Sequence, residues 1–288
     1  MNARRLLLTA LLSIGNALLM PQTTLAQQNT IQQNTVPQTT PQQSTSISWS
    51  SIIQRIESMI ANLDDWMLTD LRNHYTANID YCTTGATVRV SNDIPSQESD
   101  YLNARLPKVK QALENLLDMT LSDDEVPHIG IACSGGGYRA MLNAFGSLLG
   151  AEKSGLLDCA LYISGVSGST WAIAPWMQSG SSLKSLKQQL VTQLTQNFFE
   201  IPLDVSEYTA NLMRKALFKE PLTIVDVYGI LLAENLLKTI NTDPDLLYLY
   251  AQATRLADGS YPLPIYAAII KNQPDQWAEM TPYEVGSD

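Results

Sequence analysis

The tightest constraint on this chain is one pattern used twice: an apolar run, a glycine turn, then a helix. "HIGIAC" (residues 128–133) is a compact apolar run and reads as a buried strand. "SGGGYR" (134–139) follows, and a helical pattern runs from about Arg139 to Lys153, where Gly155 stops it. "CALYIS" (159–164) reads as a second strand, "GVSGS" (165–169) as its turn, and a new helix begins near Thr170. Strand, turn, helix, repeated, is the signature of an α/β fold with a parallel sheet. Adjacent parallel strands would bring both glycine turns to one crevice at the C-terminal ends of the strands. The same geometry puts Cys133 and Cys159 at opposite ends of the sheet, too far apart to bridge.

Each turn has a chemistry that suits it. Ser167 lies between Gly165 and Gly168, straight after a strand, with the small Ser169 next. A nucleophile on a sharp strand-to-helix turn needs such small neighbours. Taken alone, the pattern also fits an ordinary βα turn with a helix-capping serine. Gly135, Gly136 and Gly137 can aim their N–H groups at one point, helped by the start of the next helix. Two ligands suit such a turn: a pyrophosphate, or the oxyanion of an acyl-transfer intermediate. Gly135-x-Gly137-x-x-Ala140 formally fits the dinucleotide pattern, but that fold needs an acid at the end of the second strand, which here ends in Ser164-Gly165. No Gly-Lys-Ser/Thr is present for a phosphate loop. A glycine turn facing a serine elbow is much more specific than either alone, and it favours the oxyanion.

The rest of the chain sets the boundaries. A net charge of −10 and a pI near 4.7 argue against nucleic acid, which rewards basic patches. Residues 1–26 open with Arg4 and Arg5, continue through an apolar stretch from Leu6 to Met20 and end in Thr24-Leu25-Ala26. That is the pattern of a secretory signal peptide, so an exported protein, secreted or periplasmic, is expected. The stretch is shorter than the ~20 residues a membrane span needs. Residues 27–48 are Gln, Thr, Ser, Asn and Pro, which reads as a disordered linker. From Ile52 to Met67 apolar residues recur at helical steps, and a second helix is expected near 100–118, with Pro107 in its first turn or dividing it. Leu183 to Leu194 and Ile224 to Ile240 read as later helices, and Leu263 to Ile270 as a further strand. Three cysteines without a Cys-x-x-Cys pair and two histidines give no metal-ligand spacing, so neither metal nor cofactor is expected. With so few histidines, the base that would activate Ser167 is an open question.

"SGGGYRAM" (134–141) and "SGLLDCALYISGVSGSTW" (154–171) together resemble the catalytic domain of the cytosolic phospholipase A2 and fungal lysophospholipase (phospholipase B) family. "DVYGILLAENLL" (226–237) and "WAEMTPYEVG" (277–286) resemble later landmarks of that domain, and the likeness covers about residues 98–288. It implies a parallel-sheet core of the phospholipase A2/patatin type with a large helical insertion, and a catalytic domain over residues 49–288. It also implies an acyl hydrolase that cuts phospholipid or lysophospholipid at a membrane or micelle surface. The family uses a Ser–Asp dyad without histidine, which answers the open question. By resemblance Ser167 is the nucleophile, Gly136 and Gly137 supply the oxyanion N–H groups, and Arg139 meets the substrate's phosphate. A salt bridge holding the loop is the other reading of Arg139.

Two departures qualify the likeness. The family's dyad aspartate follows the Tyr283 landmark in an Asp-Gly or Asp-Ser-Gly turn, whereas this chain ends at Asp288. Asp258-Gly259 is the one internal Asp-Gly, and it precedes the landmark and reads as a surface turn. The dyad aspartate is therefore expected beyond this chain, in a C-terminal remainder; otherwise the chain is an inert fragment or a lipid-binding pseudoenzyme. The leader and linker also stand where many cytosolic members carry a calcium-binding docking module, so no calcium requirement is expected.

Overall fold

The computed structural model describes residues 49–77, 87–194, 212–213, 215–238, 248–270 and 273–287. The expected leader (1–26), the linker (27–48) and Cys82 lie outside them. In chain order the main elements are α1 (Trp49–Ala61), α2 (Asp65–Ala77), α3 (Ser96–Leu117), β1 (Gly130–Cys133), α4 (Gly137–Ser154) and β2 (Tyr162–Val166). After these come α5 (Thr170–Ser179), α6 (Leu183–Leu194), α7 (Ile224–Ala233), β3 (Leu263–Ile270), β4 (Gln273–Met280) and β5 (Val285–Ser287). The chain divides into two compact units, one from Met1–Thr87 and Pro202–Leu231, the other from Val88–Ile201 and Leu232–Asp288.

In the first unit, Ile53, Ile56 and Ile60 line one side of α1 and meet Leu212, Met213, Leu222 and Val227. The helical run from Ile52 to Met67 is two helices. Asn62 donates its side-chain amide to Ser58 O at 2.6 Å as α1 ends, and the Asp64 carbonyl accepts from Leu68 N–H as α2 starts. α7 is opened by Thr223 and Asp226, whose carboxylate accepts the Thr223 N–H at 2.7 Å and the Lys215 ammonium at 2.5 Å. The expected single helix to Ile240 instead leaves α7 through a π turn, Glu234–Lys238, and residues 239–240 lie outside the described set.

The second unit carries the sheet, in the order β1-β2-β3-β4-β5. β1, β2 and β3 are parallel, with Cys133 opposite Gly165 and Val166 opposite Ala267. β4 and β5 add on in antiparallel fashion. The α/β class therefore holds, with a mixed edge on a mostly parallel sheet. β1 differs from the buried strand expected. Among the described residues it is an edge strand, and Gly130 and Ala132 are exposed. One sheet face is covered by α4 (Met141, Ala144, Phe145, Leu148), α5 (Ala172, Ile173, Trp176, Met177) and α6 (Leu183, Leu186, Leu190). These positions recur at helical spacing, which is how each helix commits one stripe to the core.

α3 buries Glu98, Tyr101, Arg105, Val109 and Leu113 on one side. It runs unbroken through Pro107, which is exposed, so the lost N–H and the ring face solvent rather than splitting the helix. Arg105 is only 1% exposed, and its guanidinium donates to the carbonyls of Ala160, Leu157, Asp158 and Gly259. Tyr101 Oη accepts the Leu263 N–H at 2.9 Å and lies 2.6 Å from Leu161 O. Burial raises the Tyr101 phenol's hold on its proton, and the same burial lowers that of Arg105. The two side chains fasten the N-terminal ends of β2 and β3. Among the described residues no helix is long and apolar enough to cross a membrane.

Candidate active site

β2 ends at Val166, and the chain turns at once. Ser167 has φ +55, a left-handed conformation in a residue that is not glycine. Such a backbone costs on the order of 1–3 kcal/mol and persists only where its surroundings enforce it. A sharp turn of this kind lifts the serine hydroxyl off the strand end, and Ser167 is exposed. Among the described residues its Oγ makes no hydrogen bond. Thr170 Oγ1 donates to the Ser167 carbonyl at 2.5 Å, which ties the turn into α5.

The glycine turn lies against this elbow. A Cβ on Gly135 would sit 3.0 Å from Ser167 Cβ, and one on Gly168 would sit 2.6 Å from the carbonyl carbon of Gly137 and 2.7 Å from its nitrogen. A Cβ on Gly165 would sit 2.7 Å from Ile173 Cδ1. Side chains at positions 135 and 168 would push the turns apart, and one at 165 would displace Ile173. Gly136 (φ +137) and Gly137 (φ +60) take conformations that suit glycine, and Gly137 opens α4 two residues earlier than the sequence suggests. The N–H groups of a helix's first turn have no acceptor within the helix, so they are available to a developing negative charge.

The other expected residues fall as follows. Arg139 is in the first turn of α4 and exposed, and among the described residues it pairs with no carboxylate. The salt-bridge alternative has no support there. His128 is exposed and precedes β1, at the strand end away from the turns; His74 lies on α2. Asp258 precedes β3, so it too lies at the far end of the sheet from Ser167. It bonds Ser260 and sits 3.6 Å from Lys108, as a surface turn does. Cys133 and Cys159 are both free. Burial pushes the Cys133 thiol up. Among the described residues no cluster of ligands suits a metal ion.

Sequence reasoning missed two features. Ser169 is fully buried, and its hydroxyl turns back to Val166 and Cys133. Its one signal was a departure: serine where the elbow pattern commonly has glycine. The second is an aromatic pair beside the elbow. Tyr138 and Trp171 meet edge-on at 5.3 Å, and Asn235 of the π turn donates to Tyr138 Oη at 3.3 Å. Nothing local to any of the three positions announces that contact.

Residues 129–288 match the family model described as the lysophospholipase catalytic domain. The chain is 33% identical to cytosolic phospholipase A2 delta of Mus musculus over 224 residues, covering 72% of this chain and 26% of that protein. It is 36% identical to Homo sapiens cytosolic phospholipase A2 beta over 208 residues, covering 66% of this chain and 26% of that protein. The structure of human GIVD cytosolic phospholipase A2 in complex with methyl gamma-linolenyl fluorophosphonate aligns with a TM-score of 0.61 at 32% identity, over 72% of this chain and 30% of that one. The chain thus spans about a quarter of the length of these curated relatives. Their names correct the exported location expected from residues 1–26: cytosolic relatives point to an intracellular one. Two arginines before a short apolar stretch are a compositional pattern, and composition alone does not fix a compartment.

Proposed function

The chain belongs to the lysophospholipase catalytic-domain family, and from that premise we propose that it is the nucleophile-bearing part of a serine acyl hydrolase acting on phospholipids or lysophospholipids. The observation that carries this is Ser167: exposed, held at φ +55, and seated against the Gly135–Gly137 turn. Ser167 Oγ attacks the ester carbonyl carbon of a lipid presented at a membrane or micelle surface. Its proton passes to the dyad aspartate. The carbonyl oxygen gains the negative charge and is met by the N–H groups of Gly136 and Gly137. The carbon–oxygen bond to the glycerol side then breaks, and the departing alkoxide takes the proton. Water attacks the acyl-enzyme, gives its proton to the same carboxylate and releases the fatty acid, after which Ser167 is reprotonated. Arg139 meets the substrate's phosphate in this reading, which its exposure and the lack of a carboxylate partner among the described residues support. The aspartate is proposed to come from the C-terminal remainder, since among the described residues no carboxylate bonds to Ser167.

That same observation favours a second reading, a lipid-binding pseudoenzyme. Intact-mass measurement of the protein carrying the C-terminal remainder, after incubation with methyl gamma-linolenyl fluorophosphonate, separates the two. A single adduct, lost in Ser167→Ala, supports the hydrolase. A folded protein that carries the remainder and takes up no adduct supports the pseudoenzyme.

A further inference from the structure

The hydroxyl of Ser169 belongs to both turns at once. It accepts the Val166 N–H at 2.9 Å, and it lies 3.0 Å from the Val166 carbonyl and 3.0 Å from the Cys133 carbonyl. Val166 is the residue before the serine elbow. Cys133 ends β1, and the turn that leads to Gly136 and Gly137 starts directly after it. One hydroxyl carries one proton, so it donates to one of these carbonyls at a time while accepting from the amide. Ser169 has no solvent exposure, so water does not replace these partners.

Helix capping accounts for one of these bonds, since acceptance of the Val166 N–H is the backward half of a capping box on the 3-10 turn Ser167–Ser169, but not for the contact with Cys133. A capping serine reaches forward to N–H groups in the first turn of its helix. Ser169 stands at the N-cap of α5 but makes no side-chain cap bond. Its hydroxyl points backward, into space that exists because position 165 is glycine: a Cβ there would lie 3.0 Å from Ser169 Oγ. The small residue and the buried hydroxyl are a matched pair. Ser167, whose backbone needs outside enforcement, follows directly on the amide and carbonyl that Ser169 holds.

We propose that Ser169 is a positioning residue: its buried hydroxyl locks the base of the serine turn to the base of the glycine turn and so fixes Ser167 Oγ against the N–H groups of Gly136 and Gly137. The inference rests on Ser167 being the nucleophile. A misplacement of about 1 Å between reacting groups costs on the order of 10²-fold in rate, and this hydroxyl bonds the ends of β1 and β2 at once.

The test is the inactivation kinetics with methyl gamma-linolenyl fluorophosphonate of the protein carrying the C-terminal remainder, in its native form and as Ser169→Ala and Ser169→Thr. Thermal midpoints are taken on the same samples, and rates are normalised to the native fraction. The expected result is a fall of about 10- to 100-fold in kinact for Ser169→Ala with KI little changed, and recovery in Ser169→Thr, which keeps the hydroxyl. If Ser169→Ala does not fold, the near-isosteric Ser169→Cys, a weak donor, replaces it with the same expectation. A folded variant with a lower thermal midpoint but native kinact overturns the proposal, because the hydroxyl then only stabilises the fold. Absence of any adduct on the native protein carrying that remainder overturns the nucleophile reading and this inference with it. An adduct on that native protein with native kinact in the variants overturns this inference alone.

Discussion

At the scale of single residues, the site is held together by what glycine lacks. A methyl group at position 168 has nowhere to go, because the backbone of Gly137 fills that space. Gly168→Ala is therefore expected to lose up to about 3 kcal/mol of stability and to abolish fluorophosphonate labelling, as overpacking separates the turns. Gly137→Ala gives the contrast. Nothing lies within 4 Å of its would-be Cβ, so the cost is only that of a left-handed backbone, about 1–2 kcal/mol. Urea midpoints of the two variants check the order. The need for small residues around Ser167 was legible in the sequence, since a sharp elbow tolerates nothing else. The partner of each glycine was not, because Gly135 and Gly168 owe their constraint to a strand pairing across the fold.

At the scale of elements, the two glycine-bearing strand–turn–helix units were legible in order and type, because apolar runs and glycine punctuation coincide there, but not in their bounds: β2 is Tyr162–Val166 rather than residues 159–164, and β1 starts at Gly130 rather than His128. β4 was not legible. "QPDQWAEM" has no apolar run, and it becomes a strand by pairing with β3. α3 was read as a helix, but its buried face includes Glu98 and Arg105, which pattern reading assigns to solvent. Arg105→Met should cost at least about 3 kcal/mol, since several buried carbonyls lose their donor. Arg105→Lys should not rescue it, because an ammonium cannot reproduce the planar fork; thermal unfolding of both variants reads this out. The start of α7 gives a pH-dependent case. Burial works to raise the Asp226 carboxyl, but Lys215 and Thr223 outweigh it and hold the group below its ordinary 3.8. A depressed folded value means the contribution is complete above about pH 4 and is lost as pH falls through the lowered value. Asp226→Asn should thus lose about 1 kcal/mol at pH 7, with the deficit shrinking below about pH 4 in pH-dependent urea unfolding.

At the scale of the whole molecule, the division into two compact units was not legible, because helical periodicity looks the same on both sides of it. Their described cores are separate: Ile56, Leu212, Met213, Leu222 and Val227 gather in one, and a cluster from Tyr101 to Tyr266 lies in the other. Separate cores open as separate cooperative units. Native-state hydrogen exchange is expected to release amides of α1 and of β2 in different denaturant windows. The parallel pairing of β2 with β3 also sets a schedule for biosynthesis. Val166 meets Ala267, so the strand that leads into Ser167 waits for roughly a hundred more residues before its second neighbour exists. At about 5–20 residues per second, that is on the order of 5–20 s on the ribosome with one side of β2 unpaired. During that interval the hydrogen-bonding groups of β2 face open solvent, and chaperone engagement should be concentrated there.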